Sequence, residues 1–387
     1  MRGILKIVAG AVAAGWLLSP VTAGAQDAAR LLTIDHYVSV ASAVPVIEGE
    51  FAQLYVRERV LAGAGLRRGP ADGRVVLFVH GSGTPAEVAF DVPHGDYSWM
   101  AYLAQAGFDT FSMDATGYGR STRPWPMNDP CNLEPAQQEG LVDGGPCEAS
   151  YPRRLSTIAS DWHDIDAVVD YLRALRGVEQ VDLVAWSLGG PRAGGYAAQH
   201  PEKVRRLVLL APGYSRDTPA DPPEQLPALG AAFTTQSRVE FVRNWDRQVG
   251  CADQYDPAVR DAVWNEMLGS DPVGATWGLG VRRAPQVTSW GWTREMVAGT
   301  RIPLLAVAGI HDAQVSPQRV RELYEDFGAA DKVLLDLGCA SHNAMWERVH
   351  SDLFEASLEW LRDGTVDGMR AGVVRRGYPD ETPAGAR

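Results

Sequence analysis

The chain has 387 residues, 45% of them hydrophobic and 22% charged, and 36 basic against 48 acidic residues leave a formal charge of −12. An acidic chain without a run of Lys or Arg argues against a nucleic-acid partner and against anionic membrane surfaces. Its length suits one large domain with an inserted subdomain, enough to bury a sizeable core.

The opening MRGILKIVAGAVAAGWLLSPVTAGAQD reads as a secretory leader over residues 1–25. Arg2 and Lys6 give a positive start, an apolar stretch runs from Ile7 to Val21, and Ala23-Gly24-Ala25 supplies small residues for a signal peptidase. The apolar run is short for a membrane span and no stop-transfer pattern follows. The expected product is therefore exported, periplasmic or extracellular, with no stable membrane span and a charge near −14 once the two leader cations are gone.

LLTIDHYVSV and AQLYVRERVL then alternate like antiparallel strands about a turn near Pro45 and Gly49. VVLFV (75–79) is a continuous apolar run, as expected of a strand buried on both faces. FDTFSM, VDLVA (181–185), LVLLA (207–211), LLAVA (304–308) and KVLLDL repeat the type. Helical patterns lie between them: YSWMAYLAQAG stops at Gly107, and SDWHDIDAVVDYLRALRG starts on Ser160 as N-cap and stops at Gly177. Strands alternating with helices imply a mostly parallel central sheet covered on both faces, an α/β class.

The alternation breaks over 214–300. A proline-rich exit leads to the helical patterns SRVEFVRNWDRQV and DPAVRDAVWNEML, the latter started by Asp256 and Pro257. This reads as a mainly helical cap set into a core of 26–213 and 301–364, with a loose tail at 365–387. The four cysteines, Cys131, Cys147, Cys251 and Cys339, suggest two disulfides in an exported protein. Three connectivities are open, of which Cys131 with Cys147 and Cys251 with Cys339 is preferred. That second bridge would tie the cap to the loop that carries His342. No clustered Cys/His spacing suggests a metal, and the expectation is no metal and no cofactor.

The chemistry centres on AWSLGG. Ser187 follows an apolar strand and precedes a helix, the setting of a nucleophile elbow, although the motif's first glycine is here Ala185. Such a serine needs a base, the base an orienting acid, and the substrate carbonyl donors for its oxyanion. Chain order Ser, Asp, His fits Asp312, just past LLAVA, and His342, just past KVLLDL. The donors expected are the N–H groups of Leu188 and of Ser82, the latter in HGSGTP between Gly81 and Gly83. His80 reads as a buried structural histidine. His311 is poorly placed as base, His350 falls inside the last helix, and His163 with Asp164 and Asp166 lies on a helix at spacings that make a poor ligand set.

Together HG (80–81), WMAYLAQAGFDTFSMDATGYGRS (99–121), AWSLGG (185–190), GIHDAQVSP (309–317) and GCASH (338–342) resemble the α/β-hydrolase superfamily over about residues 70–215 and 300–362. The resemblance implies the α/β-hydrolase fold with a variable cap, and MDATGYGRS matches a structural turn of that family. It also implies an exported serine hydrolase that cleaves a carboxylic ester or lactone through Ser187, His342 and Asp312. Trp186, Tyr214, Trp277, Trp290 and Trp292 suggest a pocket for an apolar or aromatic substrate group. A binding protein on a hydrolase scaffold, a cofactor-free haloperoxidase and a peptidase are the alternatives. The sequence leaves the oligomeric state open.

Overall fold

A computed structural model describes residues 30–63, 74–217, 227–277, 280–285, 287 and 291–378. The expected leader, residues 1–25, and Trp290 lie outside the described residues. A nine-stranded sheet has the order β1-β2-β4-β3-β5-β6-β9-β10-β11. β1 (Leu31–Ala41) and β2 (Phe51–Leu61) form an antiparallel hairpin, and β2 lies antiparallel to β4 (Asp109–Met113). The remaining pairs are parallel: β3 (Val75–Val79), β5 (Val181–Trp186), β6 (Val204–Leu210), β9 (Leu304–Gly309), β10 (Lys332–Leu337) and β11 (Ala371–Arg376). β3, β5 and β9 are buried along their whole length, which is why they read as unbroken apolar runs.

The helices in chain order are α1 (Ala86–Phe90), α2 (Trp99–Gln105), α3 (Ile158–Arg176), α4 (Gly195–Gln199), α5 (Arg238–Asp246), α6 (Pro257–Ser270), α7 (Pro272–Ala275), α8 (Arg294–Gly299), α9 (Pro317–Asp326) and α10 (His350–Asp363). α3 begins one residue after Thr157, not after Ser160. Thr157 and Ser160 form a reciprocal capping box, so Ser160 is its N3 partner and lies inside the helix. Gly177 closes α3 in a left-handed conformation, φ 65°. No helix of the described residues is long and apolar enough to cross a membrane.

Between β6 and β9 the chain leaves the sheet to form α5 to α8 and a two-stranded antiparallel pair, β7 (Phe233–Gln236) with β8 (Val281–Pro285). Phe241, Trp245, Val263 and Trp264 of this excursion belong to the main core. Both cysteine pairs are joined, Cys131–Cys147 with Cα atoms 5.3 Å apart and Cys251–Cys339 with Cα atoms 5.7 Å apart.

Residues 365–378 depart from the loose tail expected. Ala371–Arg376 forms the edge strand β11, parallel to β10. Only Val374 of that strand is buried, so composition gave little sign of it: an edge strand can be held by its backbone ladder. Arg376 Nη2 adds a 2.7 Å bond to Glu359 on α10. A chain ended at Gly368 should have a thermal midpoint at least about 5 °C below one ended at Tyr378, at roughly 2–4 °C per kcal/mol in larger domains. Equal midpoints for the two truncations in calorimetry would mean the strand contributes nothing.

Candidate active site

Ser187 is the first residue after β5 and has φ 59°, the left-handed region that a residue with a side chain enters at a cost. Its own backbone holds it there. Ser187 N–H donates to Leu210 O at 3.0 Å, and Gly190 and Gly213 N–H both donate to Ser187 O at 2.9 Å. The neighbours leave no room for extra atoms. A Cβ at Gly81 would lie 2.8 Å from the Ser187 Cβ, and one at Gly189 would lie 2.5 Å from Val79 O. The Ala185 methyl would be 3.2 Å from that same Gly189 Cβ. Ala185 is therefore accommodated because position 189 carries no side chain, and it is Gly189 of the pair that lies against the backbone of β3.

Asp312 and His342 sit in the loops after β9 and β10, at the same edge of the sheet as Ser187. His342 Nδ1 is 2.8 Å from Asp312 Oδ2, with both side chains almost wholly buried. Asp312 Oδ1 accepts from the N–H groups of Gln314 (2.7 Å) and Val315 (2.8 Å), which fixes the carboxylate plane. With the carboxylate on Nδ1, that nitrogen carries the proton and Nε2 keeps its lone pair. Trp186 Nε1 donates to His342 O at 2.8 Å, tying the histidine loop to β5.

The loop after β3 is held by a cation that sequence reasoning passed over. Arg192 is 1% exposed. Its Nη1 donates to His80 O (3.1 Å) and Gly81 O (3.0 Å), while its Nε donates to Asp161 Oδ2 (2.8 Å). The guanidinium also lies over the Tyr118 ring. An Arg inside the run GGPRAGG was the available signal, since few residues there have side chains to hide it. His80 Nε2 accepts from Ala115 N–H at 3.1 Å, and its Nδ1 faces Gly81 O at 2.7 Å. Burial first, then the Arg192 charge, holds His80 well below the ordinary histidine range, hence neutral. The N–H groups of Ser82 and Leu188 donate to no other backbone group among the described residues.

Ser187, His342 and Ser82 line one cavity of about 280 Å³. Its lining differs from the one expected. Trp186 is there, joined by Phe241, Trp245 and Trp346, but Tyr214, Trp277 and Trp292 are not. Tyr214 is turned away, its hydroxyl on Asp326 of α9 at 2.8 Å and its ring against Trp292. Trp292 packs over Gly194, where a Cβ would meet its ring at 2.4 Å. Trp277 packs on Phe233 in a separate cluster. Gly81 abuts Ser187, and Gly83 turns the loop at φ 82°. The rest of the lining is polar: Thr84, Thr234, Gln236, Asn244, Gln314 and Asn343. Four aromatic rings and a set of polar side chains thus share the lining.

The cap and the histidine loop are clamped together. Cys339, three residues before His342, is bonded to Cys251. Beside that bridge Glu347 accepts from Ser341 N–H (2.7 Å), Ser341 Oγ (2.5 Å) and Gln254 Nε2 (2.9 Å). Gln248 Oε1 accepts from Ala313 N–H at 3.2 Å, next to Asp312. His311 is covered by Gly250. His163 is exposed, Asp166 bonds Tyr196 and Lys203, and no metal-holding cluster occurs among the described residues. Burial pushes the Glu347 carboxyl up to about 7 despite these donors.

Residues 74–256 match a family model described as alpha/beta hydrolase fold. Among curated proteins the chain is 24% identical over 251 residues to a poly(3-hydroxyalkanoate) polymerase subunit of Haloferax mediterranei, covering 57% of this chain and 49% of that one. The chain thus spans about half the length of that relative. It is 25% identical over 231 residues to a pimeloyl-(acyl-carrier protein) methyl ester esterase of Neisseria meningitidis, 58% of this chain and 73% of that one. Solved structures share the fold: a meta-cleavage product hydrolase of Pseudomonas fluorescens at TM-score 0.53 and 15% identity, covering 84% of this chain and 98% of that one, and a carboxylesterase of Bacillus subtilis at TM-score 0.51 and 15% identity, covering 86% and 93%.

Two outcomes are expected of this geometry. Gly189→Ala should destabilise the protein by about 1–3 kcal/mol through overpacking, while Ala185→Gly should stay within about 1 kcal/mol of wild type. Equal losses in urea melts would mean that the two positions are not distinguished by the backbone at Val79. For Glu347 the sign follows from linkage. A carboxyl whose folded pKa is raised binds its proton more tightly folded than unfolded, so stability falls with rising pH between about 4.3 and 7 and is flat outside that window. The wild-type advantage over Glu347→Gln should decline across that range in urea denaturation, and a difference independent of pH would contradict the burial argument.

Proposed function

This chain is a member of the α/β-hydrolase superfamily, and on that footing we propose that it is an exported serine hydrolase cleaving a carboxylic ester or lactone. The observation that carries the reading is the 2.8 Å contact between Asp312 Oδ2 and His342 Nδ1 beside a cavity that His342 and Ser187 both line. Likeness to a methyl ester esterase over 73% of that protein supports ester chemistry. Two disulfides support an oxidising compartment.

In this reading His342 Nε2 takes the Ser187 hydroxyl proton as Oγ attacks the carbonyl carbon. The oxyanion that develops accepts from the Leu188 and Ser82 N–H groups, which donate to no other backbone group among the described residues. His342, now an imidazolium stabilised by Asp312, protonates the leaving alcohol and the acyl group stays on Ser187. Water then attacks, again losing its proton to His342, and the acid leaves with Ser187 restored. Arg192 acts at one remove: it pins the carbonyls of residues 80 and 81 so that the Ser82 N–H is set before substrate arrives.

A fluorophosphonate probe should label the wild type at Ser187 and fail to label Ser187→Ala. Hydrolysis of a short aryl ester should fall by about 10⁴-fold in Asp312→Asn, with the fold intact. A folded wild type that neither labels nor turns over would sink the reading and leave a binding protein on a hydrolase scaffold.

A further inference from the structure

The cavity holds more hydrogen-bonding groups than acyl transfer needs. Gln236, from the end of β7, and Asn343, next to His342, are each 4% exposed, and Gln314 follows Asp312 by two residues. All three residues line the cavity, and none of their side-chain amides is hydrogen-bonded to another described residue, nor is any of these amides among the polar atoms sealed from solvent without a partner. Buried carboxamides elsewhere in the chain are tied down. Gln138 donates to Cys131 O and Leu133 O and accepts from Cys147 N–H. Gln254 donates to Gln248 O and Glu347 and accepts from Gly250 N–H. Gln248 is bonded at both ends to Asn244 O and Ala313 N–H. Carboxamides that serve this fold thus have protein partners, as does Asn244 at the cavity rim through Arg247, whereas Gln236, Gln314 and Asn343 do not.

We propose that the substrate seated here is a small, uncharged ester or lactone bearing further hydrogen-bonding groups, hydroxyl, keto or amide, beside its reacting carbonyl. The inference deepens the serine-hydrolase reading and rests on it. A hydrocarbon group filling this space would take water from Gln236, Gln314 and Asn343 and return nothing, which is the physical basis on which polar sites reject apolar isosteres. Charge is disfavoured for a separate reason: no Asp, Glu, Lys or Arg is among the described residues that line the cavity, so an ionic group would lose its water without gaining a counter-charge. Size is bounded by the volume of about 280 Å³, at the small end of ligand pockets. The Trp186, Trp245 and Trp346 rings would then pack on the C–H faces of a compact polar molecule, whose edge groups reach the amides. Contributions from both the cap (Gln236) and the core loops (Gln314, Asn343) mean the preference is set where the two parts meet.

Two isosteric pairs test it, one for each side of the ester bond: methyl 3-hydroxybutanoate against methyl 3-methylbutanoate, and 2-hydroxypropyl acetate against isobutyl acetate. After correction for spontaneous hydrolysis, the hydroxylated member of at least one pair should have a kcat/KM about 10-fold or more above its isostere, a threshold well below the discrimination that a fully hydrogen-bonding site reaches. That gap should close in Gln236→Leu and in Asn343→Leu, two separate variants so that loss of fold in one does not decide the matter, with fluorophosphonate labelling reporting an intact Ser187. Hydrocarbon members equal or preferred in both pairs, with labelling intact, would overturn the proposal. The same four esters titrated calorimetrically into Ser187→Ala separate it from the mechanism. Tighter binding of a hydroxylated ester by about 10-fold supports the pocket assignment even if wild-type turnover is absent, and equal affinities within both pairs refute it.

Discussion

The site depends on one constrained residue. Ser187 is held with φ 59° at the end of β5, and three backbone hydrogen bonds keep it there. That conformation turns the side chain out of the strand, and neighbouring chain segments pack closely against the turn. The loop after β3 approaches so closely that Gly81 has no room for a side chain, and the strand itself presses on Gly189. Close packing has a cost in tolerated sequence and a return in precision: the N–H groups of Ser82 and Leu188 are carried on backbone that cannot relax away. Arg192 completes the arrangement from below, as a buried cation with Asp161 for its charge and two loop carbonyls for its remaining donors. A buried ion pair of this kind is weak evidence for stability. What it supplies here is a fixed position for a loop that otherwise consists largely of glycine and small residues.

The second organising feature is the joint between cap and core. The Cys251–Cys339 bridge and the Glu347 cluster meet the chain within a few residues of His342, and Gln248 reaches the residue after Asp312. The cap is therefore fastened to the two loops that carry Asp312 and His342. Its aromatic residues Phe241, Trp245 and Trp264 are continuous with the main core. A cap fastened in this way ties Gln236 and Asn244 to the loop of His342, so that the polar lining and Ser187 belong to one packed frame. Burial of Glu347 is the electrostatic cost of that joint: three donors do not make up for the water it has lost, and its pKa rises to about 7.

The sequence by itself determined the sheet and the spacing of its chemistry. Apolar runs identify strands such as β3, β5 and β9 because a strand covered on both faces must be apolar at every position, and Ser187, Asp312 and His342 were legible as residues just beyond strand ends. Four cysteines behind an opening that reads as a leader were enough to expect two bridges, with Cys131–Cys147 and Cys251–Cys339 the preferred pairing of three. Helix starts were legible to within one turn, as Thr157 and Ser160 illustrate: either can cap, and only the path of the chain selects which. Only the tertiary structure decided the rest. β11 is an edge strand whose pairing lies in the backbone, which composition does not report. Tyr214, Trp277 and Trp292 are as apolar as pocket residues would be, yet they pack elsewhere, while Gln236, Gln314 and Asn343, unremarkable in a sequence, converge from β7 and two loops. Local pattern records which face of an element is buried; whether that burial is against protein or around a cavity depends on which distant segments meet there, and that is a property of the fold alone.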